Sequence, residues 1–219
     1  GSVIYEKGQE VKTFNVDKDG NYTIKDLPIG SYELKEIKTL DGLVLDETIY
    51  DIVFTQEDLT TKVYELTEKL ENNTTLIEFS KTDITGDEEL EGATLTVLDK
   101  DGNIVDTWVS TNETHKIEGL KVGENYILRE EITPDGGYVK ATDIEFKVEN
   151  SKEIQKITMV DKLVEVIKTD LITGKEVEGA ELQVIDENGN VIDEWTSTKE
   201  PHRIVGLEEG KTYTLIEIT

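Results

Sequence analysis

Short stretches of alternating apolar and polar residues recur along the chain, separated by turn-forming residues. The stretches are rich in Val, Ile, Thr and Tyr, and they include Ala93–Leu98, Tyr126–Glu130, Ile144–Val148 and Ile154–Val160. A period of two residues is typical of β-strands with one buried face. Asp-Gly sequences between the stretches favour tight turns, and no long stretch keeps a helical period. The pattern therefore predicts an all-β protein.

An internal repeat divides the chain into three units. The second and third units align at a constant offset, and a more diverged copy lies near the start, where residues 26–42 match residues 119–136. The matched pairs, each 87 residues apart, include Lys81 and Lys168, Trp108 and Trp195, His115 and His202, and Glu130 and Glu217.

We predict a partial unit over residues 1–73 that lacks its first strand or strands. A complete unit follows over residues 74–162, and residues 163–219 form a partial unit that lacks its last strands. Units of about 80–100 residues built from short strands suit antiparallel, Ig-like β-sandwiches. Neither junction contains a run of Pro, Gly or Ser, so we expect short and stiff connections between the units.

The charge and composition exclude several functions. The 219 residues include 23 Lys plus Arg and 49 Asp plus Glu, for a formal net charge of -26, with two His and no Cys. Such a negative chain repels nucleic acid and anionic membrane surfaces, and no apolar run approaches the roughly 20 residues that span a bilayer. We therefore expect no nucleic-acid partner, no membrane insertion in this segment, no metal site and no cofactor.

Three ionisable residues lie on strand faces that are otherwise apolar. Side chains two residues apart on a strand lie on the same face. Lys81 therefore shares a face with Ile77 and Phe79, and Glu130 shares one with Tyr126 and Leu128. In the same way, Asp161 shares a face with Ile157 and Met159. Burying such groups singly would cost several kcal/mol, so we expect the three to meet in the interior. Exposure in a turn, on a strand surface or in a linker is the alternative.

A Lys, a Glu and an Asp that meet in a dry interior can form an amide bond. The neutral amine of Lys81 would be the nucleophile, and the γ-carboxyl of Asp161 the electrophile. Glu130, kept protonated, would hydrogen-bond the carbonyl and relay protons, and close contact would supply the proximity that the reaction needs. The product is an intramolecular Lys–Asp isopeptide bond, formed once with loss of one water. We therefore predict no enzyme with multiple turnovers.

Three motifs of the middle unit lie in the order and spacing of a known family. IEFSKTD followed by LEGATLTVLD is similar to the first strands of that family, YILREEITPDGGY to its Glu-bearing strand, and ITMVDK to its last strand. On these motifs the unit resembles the CnaB-type (SpaA-type) domains of Gram-positive surface adhesins and pilins. The sequence Glu131-Ile132-Thr133-Pro134 stands where the family often has Thr-Ala-Pro, with no expected effect on the chemistry.

The resemblance implies a prealbumin-like fold for the tandem sandwiches and assigns roles to particular residues. It makes Lys81 and Asp161 the bonded pair and Glu130 the catalytic acid. The equivalent catalytic residues are Glu36 in the first unit and Glu217 in the third. Asn72, in KLENN, matches an acceptor that loses ammonia, and Lys168 matches the nucleophile; the partners of these two residues would lie outside this chain.

The resemblance also implies a function and a location. We expect a structural stalk or spacer on the extracellular, cell-wall-attached surface of a Gram-positive bacterium, with neighbouring repeats of the same protein as partners. One alternative is an adhesin module that binds a host extracellular matrix protein, a partner that another domain of the protein could also bind. The other is an open third unit that captures a strand in trans.

Other motifs favour ordinary structural roles. Asp99-Lys100-Asp101-Gly102 and Asp17-Lys18-Asp19-Gly20 resemble calcium loops, but glycine comes fourth rather than sixth. We predict that both are hairpin turns. His115 and His202 are expected to flank turns, and Trp108 and Trp195 to pack rather than to bind sugars.

Overall fold

The computed structural model of the protein, which describes residues 5–55 and 66–219, is all-β, as the alternation predicts, and none of these residues lies in an α-helix. The chain divides into two compact units. One takes the described residues of Gly1–Lys38 and Leu45–Glu71, and the other takes Thr39–Val44 and Asn72–Thr219. The boundaries expected near residues 73 and 162 stay predictions. Residues 1–4 and 56–65 of the predicted first unit lie outside the described residues.

The compact unit made of the described residues of Gly1–Lys38 and Leu45–Glu71 contains an antiparallel strand pair, β1 (Gly30–Lys35) and β2 (Ile49–Phe54). Both strands alternate exposed and half-buried positions along their length, so each presents one face to its own unit. Asp17 and Asn21 close the predicted turn, in which the Asp17 amide donates to the Asn21 carbonyl at 2.9 Å. The turn prediction is confirmed here.

The middle domain is a two-sheet sandwich. Its strands are β3 (Leu76–Asp83), β4 (Thr94–Asp99), β5 (Ile104–Val109), β6 (His115–Glu118), β7 (Asn125–Ile132), β8 (Tyr138–Val139), β9 (Ile144–Lys147) and β10 (Gln155–Leu163). One sheet has the order β6-β3-β10-β8 and the other β5-β4-β7-β9. Inward side chains from both sheets, with three from the segments that flank the strands, form one core. It is made of Ile77, Phe79, Ala93, Leu95, Val97, Ile117, Leu120, Tyr126, Leu128, Phe146, Val148 and Met159. Burial of each large apolar side chain contributes roughly 1.5–3 kcal/mol.

One pairing in the middle domain departs from the antiparallel expectation. β3 and β10, the first and last strands, are adjacent and parallel, whereas the other strands of the two sheets pair antiparallel. Parallel neighbours need a long crossover between them. The intervening strands, most of which build the facing sheet, supply that crossover.

The third domain repeats part of this arrangement. Its strands are β11 (Glu165–Val166), β12 (Glu181–Ile185), β13 (Val191–Thr196), β14 (His202–Arg203) and β15 (Thr214–Glu217). β11 pairs with β14, and β12 lies between β13 and β15. Throughout residues 5–55 and 66–219, no helix is long and apolar enough to cross a membrane.

Candidate functional site

Lys81 is buried in the middle domain, with 1% of its surface exposed. It occupies an inward position of β3, two residues after the buried Phe79. The segment that follows β3 holds its backbone on both sides, because the Lys81 amide donates to Glu89 Oε2 at 2.8 Å and the Leu90 amide donates to the Lys81 carbonyl at 2.6 Å. The strand therefore directs the amine into the interior.

Asp161 lies on the neighbouring strand and on the same face as Lys81. It follows the buried Met159 by two residues on β10, and 1% of its surface is exposed. In the parallel register, Met159 is opposite Lys81 and Asp161 is opposite Asp83. The carboxyl thus comes from one position further along the inward stripe, within reach of the long lysine side chain.

Glu130 comes from the facing sheet. It lies on β7, two residues after the buried Leu128, and its exposed fraction is 0%. Its Oε2 accepts a hydrogen bond from the Ala141 amide at 2.8 Å. This bond fixes the carboxyl so that Oε1 is left to face the other sheet.

The three side chains meet between the sheets. Lys81 Nζ donates a hydrogen bond to Asp161 Oδ1 and lies 2.9 Å from Glu130 Oε1. The second contact has the distance of an ion pair but not the alignment of a hydrogen bond, so Glu130 Oε1 has no hydrogen-bond partner among the described residues, and neither does Asp161 Oδ2. The structure therefore brings together the three residues that alternation placed inward.

Burial raises the pKa of one carboxyl in this cluster. Desolvation is the largest influence on Asp161, and the nearby Glu130 adds to it, so that the pKa of the Asp161 carboxyl rises to about 6 even though Lys81 opposes the shift. A carboxyl with a raised pKa keeps its proton to higher pH than an exposed aspartate does. The Asp161 carboxyl is therefore more readily protonated than an exposed aspartate, and it contacts the lysine away from water; such close contact of the reacting groups is what amide formation needs.

The site residues predicted for the first repeat, Glu36 and Asn72, both form hydrogen bonds with backbone groups. Glu36 Oε2 accepts the Asp46 amide at 2.8 Å, much as Glu130 accepts the Ala141 amide. Asn72 donates its side-chain amide to the Val44 carbonyl at 3.0 Å. Glu36 and Asn72 belong to different compact units, and their roles as catalyst and acceptor stay predictions.

In the third domain, the structure brings Lys168 and Glu217 together. Lys168 Nζ donates to Glu217 Oε2 at 2.8 Å, but 31% and 47% of the two side chains are exposed. Water therefore reaches this pair, in contrast to the dry cluster of the middle domain. The roles of Lys168 and Glu217 also stay predictions.

Sequence reasoning missed a contact that joins the two sheets. The His115 ring at the start of β6 stacks on Trp108 of β5 at 4.1 Å between centroids, and its Nε2 lies 2.8 Å from Asp106 Oδ2. The third domain repeats it: Trp195 and His202 stack at 4.3 Å, and His202 Nε2 lies 2.8 Å from Asp193 Oδ2. The expectation that the tryptophans pack is confirmed. The sequence did carry a signal for this contact: Asp106, Trp108 and His115 each have an identical residue 87 positions later.

The calcium-like sequences form turns. Asp99 Oδ1 accepts the backbone amides of Asp101 and Asn103, both at 2.9 Å, so its carboxylate is bound to its own loop. Within the part of the chain that the structure describes, no group of three or more His, Cys, Asp or Glu side chains is placed to hold a metal ion.

The fold and the repeated units agree with a known domain family. The family model described as SpaA, prealbumin-like fold domain, matches residues 2–69, 75–163 and 162–219. The chain therefore belongs to the SpaA-type prealbumin-like domains, present as three tandem copies. The resemblance that the middle-unit motifs suggested is confirmed.

Solved structures give more distant similarities. The Bacillus anthracis TIE protein is 24% identical over 93% of this chain and 39% of its own, with a TM-score of 0.43. A streptococcal ancillary pilin is 20% identical over 88% of this chain and 67% of its own, with a TM-score of 0.36. BcpA, the major pilin subunit of Bacillus cereus, is 12% identical over 66% of this chain and 87% of its own, with a TM-score of 0.35. No curated protein sequence matches this chain significantly.

Proposed function

We propose that this chain is a segment of a structural stalk, part of a Gram-positive surface pilin or adhesin, and that an autocatalytic isopeptide bond between Lys81 and Asp161 closes its middle domain. The observation that carries the proposal is the contact of three buried ionisable side chains, with Glu130 as the third, inside a SpaA-type domain. The stalk is extracellular and is attached to the cell wall through its parent protein.

The reaction balances with the groups present. Lys81 Nζ attacks Asp161 Cγ, and Glu130 donates a proton to the carboxyl oxygen as the tetrahedral intermediate forms. The intermediate then loses one carboxyl oxygen as water, and the proton released from the nitrogen returns to Glu130. The net change is one amine and one carboxyl to one amide and one water, so Glu130 ends as it began.

The bond would join the two strands through which the chain enters and leaves the domain. Lys81 and Asp161 are 80 residues apart in sequence. By the chain-entropy relation derived for disulfides, closing a loop of this size stabilises a domain by roughly 4–5 kcal/mol. A pulling force that enters at β3 and leaves at β10 would pass through the amide, and the rest of the sandwich would stay closed. A chain without cysteine gains in this way a cross-link that resists reduction.

Consumption of the acceptor in the proposed reaction would fit a structural role. Once Asp161 has become an amide, the site holds no group that could repeat the reaction, so the chemistry serves to fix the fold. The neighbouring repeats of the same protein are then its partners. The acidic composition would keep such an array soluble.

The intact mass of the purified chain tests the proposal. We expect a deficit of one water relative to the sequence, and a proteolytic digest in which the peptides that carry Lys81 and Asp161 are one cross-linked species. A full mass, with Lys81 open to an amine-modifying reagent after unfolding, would contradict the bonded stalk.

A further inference from the structure

Val139 belongs to the middle domain, but its side chain packs in the core of the third domain. It is buried against Val184, Ile204 and Leu207, and Trp195 is among the residues packed around this cluster. Its exposed fraction is 8%. The third-domain core therefore includes a side chain that the preceding domain supplies.

Backbone hydrogen bonds hold the segment around Val139 in place. The Lys140 amide donates to the Leu207 carbonyl and the Glu209 amide donates to the Lys140 carbonyl, both at 2.8 Å. This is the pattern of a short parallel bridge centred on Glu208. Both groups of Lys140 are therefore paired with the third domain.

Polar contacts of Glu209 also join the third domain to the middle domain. Lys162 Nζ forms an ion pair with Glu209, and the amide and hydroxyl of Thr142 both lie 3.4 Å from Glu209 Oε2. The pKa of Glu209 is held below its usual range, first by the hydrogen bond from Lys162 and then by that from Thr142. The carboxylate thus faces two donors from the middle domain.

The linker is held on both sides. Leu163, at the end of β10, pairs with Tyr138 of β8, and Lys162 pairs with Val139. The next residue, Val164, accepts a hydrogen bond from the Ile204 amide at 3.0 Å. Consecutive linker residues are therefore bound first to the middle domain and then to the third.

The close approach at this junction requires a glycine. Gly137 has a φ of +80°, and a Cβ there would lie 3.3 Å from Arg203 Cβ and 3.4 Å from Val205 Cγ1. A side chain at residue 137 would therefore be strained by its backbone and would also press on the third domain.

Two features of this arrangement, the pairing with the linker and the close approach of a glycine, also occur one repeat earlier. Leu43 bridges to Thr74 as Tyr138 pairs with Leu163, and the Val44 amide donates to the Asn73 carbonyl at 2.8 Å. A Cβ on Gly42 would lie 2.6 Å from the carbonyl oxygen of Gly119. These residues all belong to one compact unit, so the turn after the Glu-bearing strand approaches the next domain closely in both copies.

We propose that the turn after each Glu-bearing strand is a docking element that binds the next SpaA-type domain of the same chain. We name residues 135–141 the docking turn, and residues 203–209 its docking seat. The turn supplies one aliphatic side chain, a glycine that permits close approach and a paired backbone. The seat supplies two apolar side chains, Ile204 and Leu207, together with the Leu207 carbonyl and the Glu209 carboxylate. The contact requires no isopeptide bond, so it goes beyond the proposed function.

Two consequences follow for the array. The third domain draws part of its stability from the middle domain, because its core is incomplete without Val139. The linker cannot act as a hinge while the docking turn is seated, so the two domains move as one body.

The first test compares Val139→Ser with Val105→Ser, a control at an exposed strand position of the same domain. In the full chain, we expect Val139→Ser to speed amide hydrogen exchange in β12 by about tenfold or more. Exchange in β4 should stay unchanged, and the variant should show the same deficit of one water, relative to the mass of its own sequence, as the parent chain. Equal exchange in β12 for the two variants would overturn the proposal.

The second test keeps Val139 and changes the close approach. Gly137→Ala is compared with Gly102→Ala. Gly102 also has a positive φ, +82°, but a Cβ added there would meet nothing within 4 Å. Both variants carry the backbone strain, but only the first presses on the seat. From ¹⁵N relaxation of the full chain, we expect separate tumbling of the middle and third domains in Gly137→Ala alone. If the middle and third domains tumble together in both glycine variants, the proposal is overturned. This outcome is decisive even if Val139→Ser in the first test also loosened the middle domain.

Discussion

Lys81 and Asp161 contact each other from adjacent parallel strands, although they are 80 residues apart in sequence. The contact is buried, and Glu130 completes it from the facing sheet. Because one sheet supplies the two groups to be joined and the other supplies the acid, the site forms only when the sandwich has closed. Bond formation should therefore follow folding of the middle domain.

Glu130→Gln should prevent the bond. The amide keeps the shape of the side chain but cannot donate and recover a proton as the carboxyl does. We expect the full mass without loss of water, and a free energy of unfolding lower by about 4 kcal/mol for the middle domain. Mass spectrometry and denaturant unfolding measure the two effects.

Glu131→Gln is the matched control for that change. Glu131 is the adjacent residue on β7 and is exposed, so its variant should keep both the water deficit and the stability of the parent chain. A water deficit in Glu130→Gln equal to that in Glu131→Gln would show that Glu130 is not the proton relay.

The unbonded site should make stability depend on pH. In Lys81→Ala, Asp161 stays buried without its cation, so its pKa in the folded state lies at or above about 6, against about 3.9 when unfolded. The folded state then binds the proton more tightly, so the stabilisation is complete below about pH 4 and is lost as pH rises through the folded pKa. The expected slope is at most about 1.4 kcal/mol per pH unit.

A double variant separates this effect from the general repulsion of an acidic chain. Lys81→Ala with Asp161→Asn has the same surface but no titrating group at residue 161. Urea unfolding between about pH 4 and pH 8 should give a steeper fall in the single variant. Parallel curves for the two variants would mean that the pKa of Asp161 is not raised.

Glu89 should position Lys81 for the reaction. Its carboxylate accepts the Lys81 amide at 2.8 Å and the Ser80 hydroxyl at 2.5 Å, so Glu89→Ala frees the backbone that carries the amine. We expect the bond to form about tenfold more slowly but to the same final extent, because misplacement lowers the rate without removing a reacting group. Timed samples from cell-free synthesis, run on denaturing gels, measure the rate. Glu88→Ala, at an exposed neighbour, should match the parent chain.

The His115 contact should stabilise the sandwich independently of the bond. His115→Ala removes a ring stacked on Trp108 and a polar contact with Asp106, and we expect a loss of about 1–2 kcal/mol. The measurement belongs in the Glu130→Gln background, where no cross-link masks the change. Lys116→Ala, at the exposed neighbouring residue, is its control, and an equal effect of both would contradict the role of the stack.

Local alternation predicted the faces of the strands well. Lys81, Glu130 and Asp161 each follow two apolar residues of one stripe, and all three are buried with no more than 1% exposed. Strand ends were less accurate: the strand expected over Ala93–Leu98 spans Thr94–Asp99. A period of two fixes the direction of a side chain, whereas the end of a strand depends on its partner.

Contacts between distant segments could not be predicted in this way. The parallel pairing of β3 and β10 depends on the path of the whole domain, because alternation gives a face and not a neighbour. Val139 lies in a strand of two residues, which is too short to have a period, and it is buried by another domain. The stack of His115 on Trp108 crosses from one sheet to the other, so neither strand indicates it alone.

The proposed closed loop would also determine what happens when a protease cuts the chain. With the Lys81–Asp161 bond in place, residues 82–160 lie in a covalent ring, and exposed turns such as that at Gly102 are typical sites of cleavage. One cut there opens the ring but severs nothing, since the amide still joins the chain before Lys81 to the chain after Asp161. A fibre of such domains would keep its continuity after single nicks across most of each ring.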